Sequence, residues 1–144
     1  MRVAVIAVLA VLAAVPAAGA TDVDTAASRK QVVRAWSARL NAYDNVGVAR
    51  LFSRPATFIQ SGAVYRLDTA ADITLWHRVL PCAGRIVSIT VRGEYATAVF
   101  VLANGKNRRC DAPGQKAAAV FRIKNGKILG WAQIPVPPPK GPQA

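Results

Sequence analysis

Apolar residues recur every three or four positions over the segment 28–42. Val33, Trp36 and Leu40 fall on one side of a helical wheel, and basic residues fall on the opposite side. This spacing predicts an amphipathic α-helix with one apolar face. Such a face must be covered by another element, so the helix is expected to pack against the rest of the domain.

Two shorter helical segments are predicted next. Asp44 can cap the first by accepting a hydrogen bond at its N-terminus, and Pro55 is expected to end it after Leu51 and Phe52. Thr69 and Asp72 have the spacing of a capping box and precede the second, which Pro81 ends. The residues between them predict a strand over 56–60, a turn at 61–62 and a brief extended piece over 64–66.

The pattern changes to strict alternation after Cys82. Over 85–92, Val87, Ile89 and Val91 are predicted to share one face of a strand. The later strands are separated by turn residues at 93–94, a polar loop over 104–114 and the hairpin signal Asn125-Gly126. These strands are predicted at 95–103, 116–124 and 127–134. The prolines that follow cannot join a sheet interior.

Helices first and a strand meander afterwards indicate an α+β fold. Three helices are predicted, followed by the meander. A curved antiparallel sheet that wraps around the N-terminal helix, giving a cone, would cover the apolar face of that helix.

The N-terminal residues predict a secretory signal peptide. Arg2 precedes an apolar run over 3–15, Pro16 breaks it, and Ala18-Gly19-Ala20 matches the small-residue pattern before a cleavage site. Cleavage after Ala20 would make the protein secreted or extracytoplasmic, with no transmembrane segment. The predicted organisation is a signal peptide (1–20), a flexible leader (21–27), one domain (28–134) and a proline-rich, disordered tail (135–144).

The chain carries 19 Lys and Arg against 7 Asp and Glu, a net charge of +12. Nucleic acid is the usual partner of such a basic protein inside a cell, but export argues against it. An anionic component of the cell envelope is the expected alternative, beside the simpler interpretation of a solvated basic surface. Arg108 and Arg109 are the candidates for an anion-binding pair.

Cys82 and Cys110 remain after export, and an even pair in an oxidising compartment predicts a disulfide. The loop it closes has about 29 residues, worth roughly 3–4 kcal/mol. No metal site is predicted, because His77 is the only histidine and no CxxC spacing exists. No cofactor is expected.

Two segments carry a family resemblance: NAYDNVGVARLFSRPATFI over 41–59 and VFRIKNGKILGWAQI over 120–134. Together with the capped third helix, they resemble the nuclear transport factor 2-like superfamily, which includes ketosteroid isomerases and polyketide cyclase-like proteins. The resemblance covers residues 28–134. It implies a cone-shaped fold around an apolar pocket and leaves a homodimer through the outer sheet face open.

The resemblance does not extend to the catalytic acids of the isomerases. Gln60 or Ser61 stands where those enzymes have an Asp base, Ala119 and its neighbours stand where they have an acid, and Trp36 replaces a helical Tyr. A Gln amide cannot abstract a proton as a general base does. No catalytic residue is therefore assigned, and whether the protein is an enzyme stays open.

The expected pocket lining combines aromatic residues with one polar anchor, Gln60. Core packing is the favoured role for at least three of the five aromatic residues, and the others would line the pocket. His77 is expected on the surface of the third helix. The candidate pocket residues are Trp36, Phe58, Gln60, Trp76, Phe121 and Trp131.

These observations favour a secreted, non-catalytic domain that binds a small apolar ligand or acts as an accessory protein. A polyketide cyclase-like or isomerase-like enzyme that uses His77 or another polar pocket group is the first alternative. An envelope-associated structural protein that acts through its basic surface and proline-rich tail is the second.

Overall fold

The computed structural model describes residues 23–139 and residue 141, so the predicted signal peptide lies outside the described residues. The described part contains three helices and six strands. In chain order they are α1 (Ala26–Asn41), α2 (Asn45–Ala49), β1 (Phe52–Gln60), β2 (Ala63–Leu67), α3 (Ala70–Arg78), β3 (Ala83–Arg92), β4 (Tyr95–Ala103), β5 (Lys116–Lys124) and β6 (Lys127–Ile134).

Helix α1 begins two residues before its predicted start. The Thr25 hydroxyl caps it by accepting a hydrogen bond of 3.0 Å from the Ser28 N–H. Asp24 just before the cap accepts a bond from the Asn125 N–H at 2.9 Å and pairs with Arg29 at 3.2 Å. The described end of the predicted flexible leader is therefore attached to the domain.

Helix α2 is shorter than predicted, and Pro55 does not end it. The Asp44 cap is present, with its Oδ1 accepting from the Gly47 N–H at 2.9 Å, but the helix ends at Ala49 and Phe52 already belongs to β1. Pro55 lies in β1 where the pairing with β6 is interrupted between Phe52 and Thr57. Its missing N–H is tolerated there, because no ladder hydrogen bond requires it.

The six strands form one sheet in the order β2-β1-β6-β5-β4-β3. Strand β6 lies between β1 and β5. It pairs with β1 in parallel, and the other four strand pairings are antiparallel. Helix α1 packs against the sheet, along β3 and β4. The predicted α+β class and the curved sheet around an N-terminal helix are confirmed.

Strand β3 departs from the predicted alternation. The register with β4 shifts between Ile86 and Ser88, which marks a β-bulge at Val87. Val87 is 46% exposed, whereas Ile86, Ile89 and Val91 pack against the core. The bulge therefore turns Val87 away from the face that the sequence pattern assigned to it.

Large aromatic residues fill the centre of the concave face. Phe58, Trp131 and Phe121 are direct neighbours across β1, β6 and β5, and Trp36 of α1 packs on Phe121 with ring centroids 5.0 Å apart. Phe58 and Phe121 are fully buried. This row anchors α1 to the sheet through the burial of large apolar surfaces.

The predicted disulfide between Cys82 and Cys110 is confirmed, with a sulfur–sulfur distance of 2.04 Å. It ties the residue before β3 to the loop between β4 and β5.

No helix in the described part of the chain is long and apolar enough to cross a membrane. The described prolines of the tail form neither helix nor strand.

Replacing both cysteines with alanine should lower the free energy of unfolding by about 3–4 kcal/mol, because the unfolded chain gains the entropy of an open loop. Urea unfolding of the oxidised protein and of the C82A/C110A variant measures the difference. Reducing agent should destabilise the native protein and leave the variant unchanged. A variant as stable as the native protein would contradict the expectation.

Candidate functional site

A cavity of about 340 Å³ lies between α1 and the concave face of the sheet. Its walls come from α1, the ends of β1 and β6, the start of β5 and the segment that leads into β3. The disulfide and the loop between β4 and β5 lie at its rim. Its lining includes Trp36, Ser37, Leu40, Asn41, Gln60, Ser61, Leu80, Cys82, Phe100, Asp111, Ala117, Ala118, Ala119, Trp131 and Gln133.

Small side chains on β5 explain why the space is empty. Ala117 and Ala119 lie two residues apart on β5, on the same face as Phe121, and both line the cavity. Two residues further along the same strand, Phe121 fills the concave face and contacts Trp36. The change from aromatic residues to alanines along the strand therefore leaves a gap beneath the C-terminal half of α1.

Neutral carboxamides provide much of the polar lining. Gln60 and Gln133 occupy adjacent positions on the parallel strands β1 and β6, one residue beyond the Ile59–Ala132 pair. Asn41 bonds the Gly84 backbone twice, donating to its carbonyl at 2.8 Å and accepting from its N–H at 3.1 Å. Asn41 thus fixes the wall, while Gln60 and Gln133 can offer a ligand both donors and acceptors.

Asp111 is the one acidic residue among the lining residues, and it lies in the segment predicted as a polar loop over 104–114. It is exposed, and its Oδ1 lies 3.2 Å from the Cys82 sulfur. Cys82, Cys110 and Asp111 are also the one group in the described residues close enough together to hold a metal ion. Both sulfurs are bonded to each other in the disulfide, so they offer no thiolate ligand.

Three of the six predicted pocket residues line the cavity, and three do not. Trp36, Gln60 and Trp131 line the cavity, whereas Phe58, Trp76 and Phe121 do not. Phe58 packs on Trp76 with ring centroids 5.2 Å apart, so these aromatic residues belong to the core beside the cavity. Ligand binding by the three lining residues stays a prediction.

His77 is buried, and the expectation that it lies on the helix surface is wrong. Its Nε2 accepts a hydrogen bond of 3.0 Å from the Trp36 indole N–H, and its Nδ1 donates to the Ile73 carbonyl at 2.8 Å. An indole nitrogen can only donate, so the imidazole proton must be on Nδ1. The spacing of four residues from Ile73 was the signal that places His77 on the buried face of α3.

Burial lowers the pKa of His77 from 6.5 to about 4, and the charge of Arg108 adds to this shift, while the bond to Ile73 opposes it. The imidazole is therefore neutral at physiological pH. Both ring nitrogens have partners in the fold, and His77 is not among the residues that line the cavity. His77 is thus a poor candidate for the general base of the enzyme hypothesis.

Arg108 contacts the C-terminal ends of two helices. Its guanidinium donates to the carbonyls of His77 at 3.2 Å and of Leu80, approaches the Leu40 carbonyl at 3.5 Å, and lies 5.1 Å from the Tyr43 ring centre. Carbonyls at helix ends lack partners within the helix, and a cation satisfies them. This role was missed in the sequence. Arg109 is exposed, and anion binding there stays a prediction.

Solved structures with this architecture are similar in fold at low sequence identity. A Sinorhizobium meliloti protein proposed to be a polyketide cyclase superposes with a TM-score of 0.60 at 17% identity, covering 72% of this chain and 94% of that one. A nuclear transport factor 2-like protein of unknown function from Cytophaga hutchinsonii gives 0.57 at 11% identity, covering 73% and 87%.

A third similar structure, from Catenulispora acidiphila, has a ketosteroid isomerase-like fold and was solved in complex with trimethylamine. Its TM-score is 0.59 at 14% identity, covering 72% of this chain and 84% of that one. The chain therefore has the nuclear transport factor 2-like fold. The resemblance found in the sequence is confirmed at the level of the fold. Neither protein-family models nor curated protein sequences give a match.

The buried imidazole should make stability depend on pH. Between pH 6.5 and about 4 the unfolded chain binds a proton at His77 that the folded protein does not. The contribution of the neutral imidazole to the free energy of unfolding is therefore fully present above pH 6.5. It is lost as the pH drops towards 4, which lowers the free energy of unfolding by up to about 3 kcal/mol.

Urea unfolding between pH 4 and 7 measures this slope. The H77Q variant lacks the titrating group and should have a flatter profile, although it is less stable at pH 7. Carboxylates contribute to both profiles, so the difference between the two proteins isolates His77. Parallel profiles would contradict the assignment.

Proposed function

We propose that this protein is an extracytoplasmic binding protein that holds a small, uncharged and largely apolar molecule in the cavity between α1 and the sheet. The size and lining of the cavity support a ligand of this class. Alanines provide the space, Trp36, Phe100 and Trp131 provide apolar surface, and Gln60 and Gln133 provide hydrogen bonds.

The observation on which this proposal rests is the charge of the lining. Apart from Asp111, which is exposed, no residue in the cavity lining carries an ionisable side chain. A buried charge without a partner is costly, so a ligand with a full charge would not be compensated inside. A neutral molecule with one or two polar groups fits this lining best.

The signal-peptide pattern and the disulfide support an extracytoplasmic location. Disulfides persist mainly in oxidising compartments, and the Cys82–Cys110 bond closes the rim of the cavity. The signal-peptide residues lie outside the described part of the chain, so export is part of the proposal.

Filling the cavity should abolish binding. The neutral fluorophore N-phenyl-1-naphthylamine should bind the native protein and gain fluorescence, whereas A119L should bind at least about tenfold more weakly. A132L is the matched control, because Ala132 lies on the opposite face of the sheet and does not line the cavity. Equal affinity of A119L and A132L, with both variants folded by circular dichroism, would contradict the proposal.

An enzyme of the cyclase or isomerase kind is the second candidate, since Asp111 provides a carboxylate at the cavity rim. A panel of lactones, epoxides and enones tests it with the native protein, Q60A and D111N. We expect no turnover by any of the three. Turnover that Q60A or D111N abolishes would replace the binding function with a catalytic one.

A further inference from the structure

A second concavity, about 700 Å³ in volume, lies between α2, the start of β1 and α3. It shares no lining residue with the cavity described above. Three cationic side chains line it: Arg50, Arg54 and Lys127. No Asp or Glu is among its lining residues. We call it the basic groove.

The acids of the described chain make their ion pairs elsewhere, although the charge of Arg50 contributes to the lowered pKa of the exposed Asp44 carboxyl. The ion pairs are Asp24–Arg29, Asp44–Arg39, Asp68–Arg66 and Glu94 with Arg122 and Lys124. Asp72 closes the capping box at Thr69, and Asp111 lies at the cavity rim. None of the ion pairs found in residues 23–139 includes a cation of the basic groove.

Lys127 is oriented by the fold. Its Nζ donates to the Arg50 carbonyl at 2.7 Å, which holds the ammonium on the α2 side of the groove. Three cations in one concavity repel each other, and a cleft concentrates their field more than a flat surface does. An anion bound there would relieve this repulsion.

The groove also has an apolar side. Val46 lines it and is 55% exposed, and Ala49, Phe52 and Ala70 line it as well. A bare inorganic anion would leave Val46 in water. A ligand with an anionic group and an apolar part would contact both the cations and Val46.

We propose that the basic groove binds a phosphate ester whose organic part is apolar. Guanidinium groups can bind phosphate oxygens in a bidentate manner, and a lysine ammonium adds a further charge-assisted hydrogen bond. The same chemistry is offered by a soluble phosphate ester and by a phospholipid headgroup at a membrane surface. The site is independent of the cavity and of the function proposed for it.

Binding of dihexanoyl phosphatidic acid, kept below its micelle concentration, to the mature protein tests the proposal by calorimetry. R50Q/R54Q should bind at least about tenfold more weakly than the native protein. R34Q/R85Q loses the same charge from exposed side chains outside the groove, and should weaken binding by less than about threefold. Both double variants keep the hydrogen bond from Lys127 to Arg50, because its acceptor is the backbone carbonyl of residue 50.

The apolar side has its own test. Inorganic phosphate should bind more weakly than the lipid, and V46S should reduce affinity for the lipid but not for phosphate. Sedimentation with phosphatidylglycerol–phosphatidylcholine vesicles then identifies the source. If the native protein sediments with the vesicles and R50Q/R54Q does not, the ligand is a lipid headgroup. If the native protein binds the short-chain ester but does not sediment with the vesicles, the ligand is a soluble ester.

Either result supports the site. Absence of binding to both the ester and the vesicles would overturn the proposal, as would an equal loss of affinity in R50Q/R54Q and R34Q/R85Q. Equal affinities for phosphate and the short-chain ester, unaffected by V46S, would overturn the apolar part of the ligand assignment.

Discussion

The hydrogen bond from the Trp36 indole to the His77 imidazole joins α1 to α3 inside the concave face of the sheet. Such a bond contributes about 1 kcal/mol when made, but leaving its buried partners unpaired costs about 1–3 kcal/mol. It therefore fixes Trp36 in one orientation, with one side on Phe121 and another on the cavity. The position of the cavity wall follows from this constraint.

The sheet provides the complementary half of the arrangement. Large aromatic residues at Phe58, Phe121 and Trp131 support α1 at the centre of the concave face, and the alanines of β5 leave space beside them. The Cys82–Cys110 bond and Arg108 then hold the loop at the rim against the ends of α1 and α3. Core, cavity and rim are thus connected parts of one packing arrangement.

Local patterns were sufficient to predict much of the fold. The capping box at Thr69, the Asn125-Gly126 hairpin and the Cys82–Cys110 pair depend on neighbouring residues or on simple counting, and the structure contains all three. Features that depend on distant partners were missed. Pro55 is tolerated only because β6 leaves a gap in its pairing, and the bulge at Val87 depends on β4.

The same distinction applies to the site. Trp36 lies on the apolar face that helix periodicity predicts, whereas Gln60 and Trp131 were proposed from the cone that the family resemblance implies. Neither signal shows where a cavity ends. Arg108 was unpredictable from sequence, because its partners are carbonyls on two helices far from it along the chain. The exposed loop containing it gave no sign of this contact.

Within the described residues, the concave interior contains one imidazole, and both of its nitrogens have partners in the fold, so it is not free to act as a base. Because the chain has only one histidine, nitrogen-15 labelling of histidine reports on His77 alone. Between pH 5.5 and 8 we predict a protonated Nδ1, an unprotonated Nε2 and no titration. A titration near the ordinary pKa of histidine, or a proton on Nε2, would contradict the account.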